Sequence, residues 1–370
     1  MNRPRAAAIS CLSPTRAAPP SRHPVLAFTL VELMVAMSIL SVILLTLASV
    51  VQQTTRSWGL ARGQLEQFRE AEVAFDAMTR RISDSVLNTY YDYEFPGGNT
   101  SRTPTRYVRQ SELHFVAGQA RSGSTTPPLL PALANAAPGQ AVFFQGPFGD
   151  HDTTDWIGLN TLLNSWGYFV TFGDDRDTRP GFLAPDDPAP RHRFRLIEFR
   201  QPSEAFLVYR EKLSASGTSP ANLYRWFRDP VGAGQGLEVL AENVVALILR
   251  PLAPEGDLDQ PTDLAPAYHY DTRAFQHNVG GTFQRERSRH QLPPLLEITL
   301  VVIDEASAVR LQSMHGDQAP DFGIDSLFKN AANFADDLES LARTLEQQRV
   351  SHRILTRTVR LRNARWSAFD

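Results

Sequence analysis

Residues 27–51 read AFTLVELMVAMSILSVILLTLASVV, and this stretch decides the architecture. From Leu33 to Val51 it holds nineteen residues without a charge. As a helix rising about 1.5 Å per residue they cover roughly 28 Å, enough to cross the hydrocarbon core of a bilayer. Residues 1–27, ahead of this stretch, carry Arg3, Arg5, Arg16 and Arg22 and no acid. The positive-inside rule therefore keeps the amino end cytoplasmic and sends residues 52 onward across the membrane. A cleaved signal peptide usually has a shorter apolar region, about 7–15 residues, without an acid at its start. A plain signal anchor has no use for Glu32, because a lone carboxylate beside the start of a spanning helix costs free energy. The glutamate marks a task beyond anchoring.

After the apolar run the pattern becomes amphipathic. Trp58, Ala61, Leu65, Phe68, Ala71, Phe75, Met78 and Ile82 recur at intervals of three and four, the period of a helix with one buried face. The spacing predicts a single helix over residues 28–87, a rod about 90 Å long. Residues 28–51 form its lipid-borne half, and residues 52–90 an amphipathic half that backs a globular head. Gly59 and Gly63 each cost about 1 kcal/mol in a helix interior, so a bend or a frayed stretch is expected there.

The segment Ala27-Phe28-Thr29-Leu30-Val31-Glu32-Leu33-Met34-Val35-Ala36 resembles the prepilin cleavage and methylation motif of type IV pilins and type II secretion pseudopilins. The resemblance implies that a membrane prepilin peptidase cuts between Ala27 and Phe28 and methylates the new amine of Phe28. Residues 1–27 are then a leader. It departs from the family pattern in ending on Ala27, where Gly is usual, and in being long. Its loss removes Cys11 and four Arg, which moves the formal charge from -3 to -7. Glu32 becomes the fifth mature residue. A buried carboxylate needs a partner; the methylated ammonium of a neighbouring Phe28 would supply one and set the axial register between subunits.

The head, residues 91–370, is expected to complete an α+β, type IV pilin-like fold: mainly antiparallel β, with long loops at 118–140, 174–191 and 251–292. Strand signals fall at 112–116, 141–145, 167–172, 194–200, 205–210, 244–249, 295–303 and 355–361. Leu327, Ala331, Phe334, Leu338, Leu341 and Leu345 follow Ser326, a capping residue, and predict a helix over 326–348. The runs AVFFQGPFG (141–149), WGYFVTFGDD (166–175), RFRLIEFRQPSE (193–204) and TVRLRNARWS (358–367) resemble the Verru_Chthon cassette protein C family of prepilin-like proteins. The architecture is similar to the minor pseudopilin J, with LEVLAENVVALILRP (237–251) and LLEITLVVIDE (295–305) in the places of its late strands.

Composition narrows the function. The chain is 42% apolar and 21% charged with a formal charge of -3, which suits a globular head and excludes a polybasic nucleic-acid binder. The single cysteine excludes an intramolecular disulfide, thiol catalysis and a Cys-based zinc site in the mature chain. No catalytic motif of the common hydrolase, metalloprotease or nucleotide-binding kinds is present. Asp174, Asp175 and Asp177 offer oxygens to calcium, but the calcium-loop pattern breaks at Arg179 and a solvated loop is the simpler account. His151 between Asp150 and Asp152 reads as a metal ligand or a polar turn, and Gly232 to Gly236 as a flexible turn. Arg191, Arg193 and Arg195 alternate on one strand face, which could touch DNA or an acidic partner but reads more simply as a solvated face or as internal ion pairs.

The resulting expectation is a non-enzymatic minor subunit of a pilus-like filament in a secretion or surface system, without a cofactor unless calcium binds. Its partners would be prepilin peptidase, other prepilin-like subunits of the same cassette or secretion system, and the inner membrane, with the head periplasmic and no nucleic acid involved. The alternatives are an adhesin or DNA-uptake minor pilin, and a membrane-anchored periplasmic binding domain or enzyme.

Overall fold

The computed structural model describes residues 29–121, 127–176, 179–180, 182, 187, 189–209, 223–253, 262–274, 277–279, 282–284 and 289–365. Helix α1 (Leu30–Ser83) has no break at Gly59 or Gly63; two glycine penalties of about 1 kcal/mol each do not interrupt so long a hydrogen-bonded ladder. It ends at Ser83 rather than near 87 because the following chain is captured by the head: Val86 N donates to Gln145 O at 2.8 Å. The chain divides into two compact units between Ala61 and Arg62. The first contains the apolar start of α1. The second contains the rest of α1 and the head.

Among the described residues the head holds fourteen strands. A hairpin of β1 (Tyr90–Glu94) and β2 (Arg106–Gln110) stands by itself. The main strands are β3 (Val116–Gln119), β4 (Gln140–Pro147), β5 (Leu163–Gly173), β6 (Arg193–Gln201), β7 (Leu237–Glu242) and β8 (Val244–Ala253). Then come β9 (Thr262–Asp263), β10 (Tyr270–Asp271), β11 (His277–Val279) and β12 (Thr282–Gln284), followed by β13 (Leu295–Ile303) and β14 (His352–Arg360). Helices α2 (Arg225–Gly232), α3 (Glu305–His315) and α4 (Phe334–Gln347) lie between strands. All pairings are antiparallel: a six-stranded sheet in the order β10-β3-β4-β5-β6-β7 and a four-stranded sheet in the order β14-β13-β8-β9. The fold is α+β, as expected for a type IV pilin-like chain.

Period-two alternation assigns the large sheet two buried faces. On one, Val142, Phe144, Tyr168 and Leu196 share a core with Leu247 and Leu300 of the small sheet and with Ala71, Phe75, Met78 and Ile82 of α1. On the other, Phe143, Phe169 and Phe199 meet Trp226 and Phe227 of α2. Phe143 stacks on Phe227 with ring centroids 4.0 Å apart, over Gly167, where any side chain would collide with the Phe143 ring. Asn243 joins the two sheets. Its φ of 62° makes the sharp turn from β7 to β8, and its backbone bonds both ways, N to Phe194 O at 2.7 Å and O from Ile303 N at 2.9 Å.

Several local expectations are corrected. The strand signal at 112–116 shrinks to Val116, since His114 N and Phe115 N donate to the side chains of Gln145 and Thr272 rather than to a neighbouring strand. The signal at 205–210 gives single 3-10 turns, Ser203–Ala205 and Leu207–Tyr209. The late helix begins at Phe334 and not at Ser326, because Phe328 has φ 54°, which no right-handed helix admits. The amphipathic stripe of α1 is half-buried at Phe68 and fully buried from Ala71, whereas Trp58 is 74% exposed.

Among the described residues four ion pairs tie the carboxyl end of α1, and Asp84 just past it, to the head: Glu72 with Arg353, Asp76 with Arg357, Asp84 with Arg362, and Arg81 with Glu198. The first three are solvated and contribute little. The fourth differs, because the Glu198 side chain is only 6% exposed and also accepts from Trp166 Nε1 at 2.9 Å and Tyr168 OH at 2.8 Å, while the Arg81 guanidinium lies 4.8 Å over the Trp166 ring. Arg81→Met is expected to lower head stability by about 2 kcal/mol, against under about 0.5 kcal/mol for Arg357→Met, read as shifts in urea midpoint. Equal shifts would show that Glu198 does not depend on Arg81.

Candidate processing and assembly segment

Helix α1 starts with a side-chain cap. Thr29 Oγ1 accepts from Glu32 N at 3.2 Å, and Thr29 O accepts from Leu33 N at 3.2 Å, so Thr29 sits at the N-cap and Glu32 in the first turn. Thr-x-x-Glu is the capping-box spacing, and a carboxylate at this end of a helix is favoured by the macrodipole. Glu32 thus has a local electrostatic role that the sequence reading missed, although the spacing was visible. Ala27 and Phe28 lie outside the described residues.

Leu30–Thr55 forms a 26-residue candidate membrane span with no residue buried, about 39 Å of helix. Its hydroxyls need no partner from outside: Ser38, Ser41, Thr46, Ser49, Thr54 and Thr55 each donate to a carbonyl three or four residues earlier. A segment whose hydroxyls are all satisfied internally is suited to lipid or to packing against other apolar helices.

Several charged groups of the other candidate sites bond to groups of the protein itself. Asp175 accepts from Arg191 N at 2.9 Å and from the guanidiniums of Arg179 and Arg191; burial alone would raise its pKa, but these bonds outweigh it and hold the carboxyl at about 2. Asp174 pairs with Arg176, and Asp177 lies outside the described residues. Arg193 is buried against Glu305 and Gln312, and Arg195 against Glu242 and the carbonyls of Gly173 and Asp174. The arginine trio is therefore held in internal ion pairs. His151, Asp150 and Asp152 form no metal cage; among the described residues no group of three or more His, Cys, Asp or Glu converges to hold one. Gly234 and Gly236 have φ of 70° and 65° and lie in a turn over residues 233–236, while Gly232 is the last residue of α2.

Sequence reading also missed a buried polar network beside β10. Trp226 Nε1 donates to His114 Nδ1 at 3.1 Å, so His114 carries its proton on Nε2 and donates to Asp271 Oδ1 at 2.8 Å. Tyr224 OH donates to Asp271 Oδ2 at 2.8 Å and Arg273 N to Oδ1 at 2.9 Å. Burial would raise the Asp271 pKa, yet His114 and these bonds hold it well below the usual range, while burial lowers His114. The His114 ring is fully enclosed, which makes this network architectural. Nearby His290 is pushed down to about 3, chiefly by burial and then by Arg289 and Arg273; burial also lowers His269. Folded histidines with lowered pKa stay neutral while unfolded ones, near 6.5, take up protons. Head stability is therefore expected to be full above pH 6.5 and to fall as pH drops below it, by about 1.4 kcal/mol per pH unit for each such histidine. His290→Phe should flatten this slope in urea titrations between pH 4 and 7; an unchanged slope would remove His290 as a cause.

A family profile described as the prokaryotic N-terminal methylation motif matches residues 24–48. No curated protein and no solved structure gives a significant match. The amino end of the chain thus carries a prokaryotic N-terminal methylation motif, which spans the capped start of α1, Glu32 and most of the exposed apolar span.

Proposed function

We propose that the chain is a minor subunit of a pilus-like filament of a secretion or surface system, similar to the minor pseudopilin J and to Verru_Chthon cassette protein C. It enters the inner membrane with its amino end cytoplasmic, loses residues 1–27, is methylated on Phe28, and leaves the bilayer by packing its apolar helix among those of other prepilin-like subunits. The observation that carries this reading is the methylation motif lying on a helix that continues from a fully exposed 26-residue apolar span into the head's core. A size of 370 residues, most of it head, favours a minor, tip or priming position over a shaft unit repeated thousands of times. It acts as a structural subunit, without an enzymatic step of its own.

Intact-mass and amino-terminal peptide mass spectrometry of membrane-extracted protein tests the proposal. The expected mature chain starts at N-methyl-Phe28. A chain starting at Met1, or after residue 49, would leave the filament reading without its central support and return the anchored or secreted domain as the account.

A further inference from the structure

Strand β7 closes one end of the six-stranded sheet, with β6 on one side and, among the described residues, no strand on the other. Arg200 N donates to Gly236 O at 2.8 Å and Asn243 N to Phe194 O at 2.7 Å, just beyond either end of β7. Antiparallel partners exchange bonds at every second residue. Leu237, Val239 and, past the bulge, Glu242 therefore turn their N–H and C=O groups to the open side. Along that side runs a groove of about 390 Å³, walled by Val239 and Leu240, by Val302 and Ile303, and by Glu70 and Ala71 of α1. Val239 is 39% exposed, and Glu70 is exposed with no ion pair or hydrogen bond to a described residue. An open strand edge is a template for pairing, and native folds normally cover or interrupt it.

We propose that β7 is a strand-addition site, filled in the assembled protein by an extended segment of a neighbouring prepilin-like subunit that sets an apolar side chain against Val239 and a basic one against Glu70. Three features select this occupant. Unpaired backbone groups in a row are satisfied by an extended chain and not by a helix or a small solute. The Glu70 carboxylate on the far wall, unpaired among the described residues, calls for a cation. The groove is bounded by α1, the helix that packs against other subunits in the filament reading, on which this inference rests.

A photo-cross-linking residue, benzoylphenylalanine, is placed at position 239 or, separately, at position 42 in the apolar span of the full-length chain in its own host. Cross-linked peptides are then identified by mass spectrometry. Position 42 is expected to capture the apolar helix of another chain bearing the methylation motif. Position 239 is expected to capture a head segment of such a chain, with a yield that falls at least fivefold in Glu70→Lys while the position 42 yield is unchanged. If position 42 captures such a chain and position 239 captures nothing, captures only this chain's own peptides, or captures a protein without the motif, the strand-addition site is overturned and the filament reading stands. If neither position captures a motif-bearing chain, both fall. A position 239 yield that Glu70→Lys leaves intact overturns the role of the acidic wall.

Discussion

Glu32→Gln is expected to leave cleavage before Phe28 intact and to reduce incorporation into filaments at least tenfold. The substitution keeps the side chain's size. The cap from Thr29 Oγ1 also survives, because it is received by the Glu32 backbone N–H. The helix itself loses only the dipole contribution of a first-turn carboxylate, about 0.3–1 kcal/mol. If Glu32 pairs with the amine of a neighbouring Phe28, as the resemblance to prepilins implies, the loss between subunits is larger. In an apolar bundle a carboxylate is tolerated only beside a cation, and removing one partner of a buried pair costs about 3–5 kcal/mol, more than the 1.4 kcal/mol that corresponds to tenfold. Amino-terminal mass spectrometry would report the cleavage, and immunoblotting of the sheared filament fraction the incorporation. Wild-type levels of the variant in that fraction would reduce Glu32 to a helix cap.

The second large effect lies in the head. Asp271→Ala is expected to destabilise it by about 3–5 kcal/mol, because three donors, His114 Nε2, Tyr224 OH and Arg273 N, lose their acceptor in an enclosed interior. Asp174→Ala, which breaks only a surface pair with Arg176, should stay within about 0.5 kcal/mol. Urea unfolding of the detergent-solubilised chain, followed by tryptophan fluorescence, would compare the two; Trp226 sits inside the Asp271 network and reports on it directly. Similar midpoints for both variants would mean that the network adds nothing to the surrounding apolar core.

The strands that read correctly are those dense in buried apolar side chains. Residues 141–145, 167–172, 194–200 and 295–303 all lie within observed strands, and 295–303 coincides with β13 at both ends. Failures arose where a distant group competes for the backbone. Residues 112–115 carry strand-like chemistry, but Gln145 and Thr272 take their N–H groups. The hairpin β1–β2 was missed because YYDYE exposes its tyrosines and so lacks the apolar alternation that marks a half-buried strand. Helices α2 and α3 are 8 and 11 residues long, too short for periodicity alone to resolve.

The sequence by itself determined the amino-terminal half of the argument: the motif, the apolar span, Glu32 in its first turn, and the helix that carries them toward a β head. These are local properties, set by hydrophobicity and helical period along one contiguous stretch, so reading them needs no knowledge of which residues meet. Only the tertiary structure decided the fate of the charged groups in the head. That Arg193 pairs with Glu305, that Asp175 accepts from Arg179 and Arg191, and that His114 meets Asp271 depends on which residues the fold brings together. Charge and hydrogen bonding act through distance in space, and that distance is fixed only when the two sheets and α1 close on a common core.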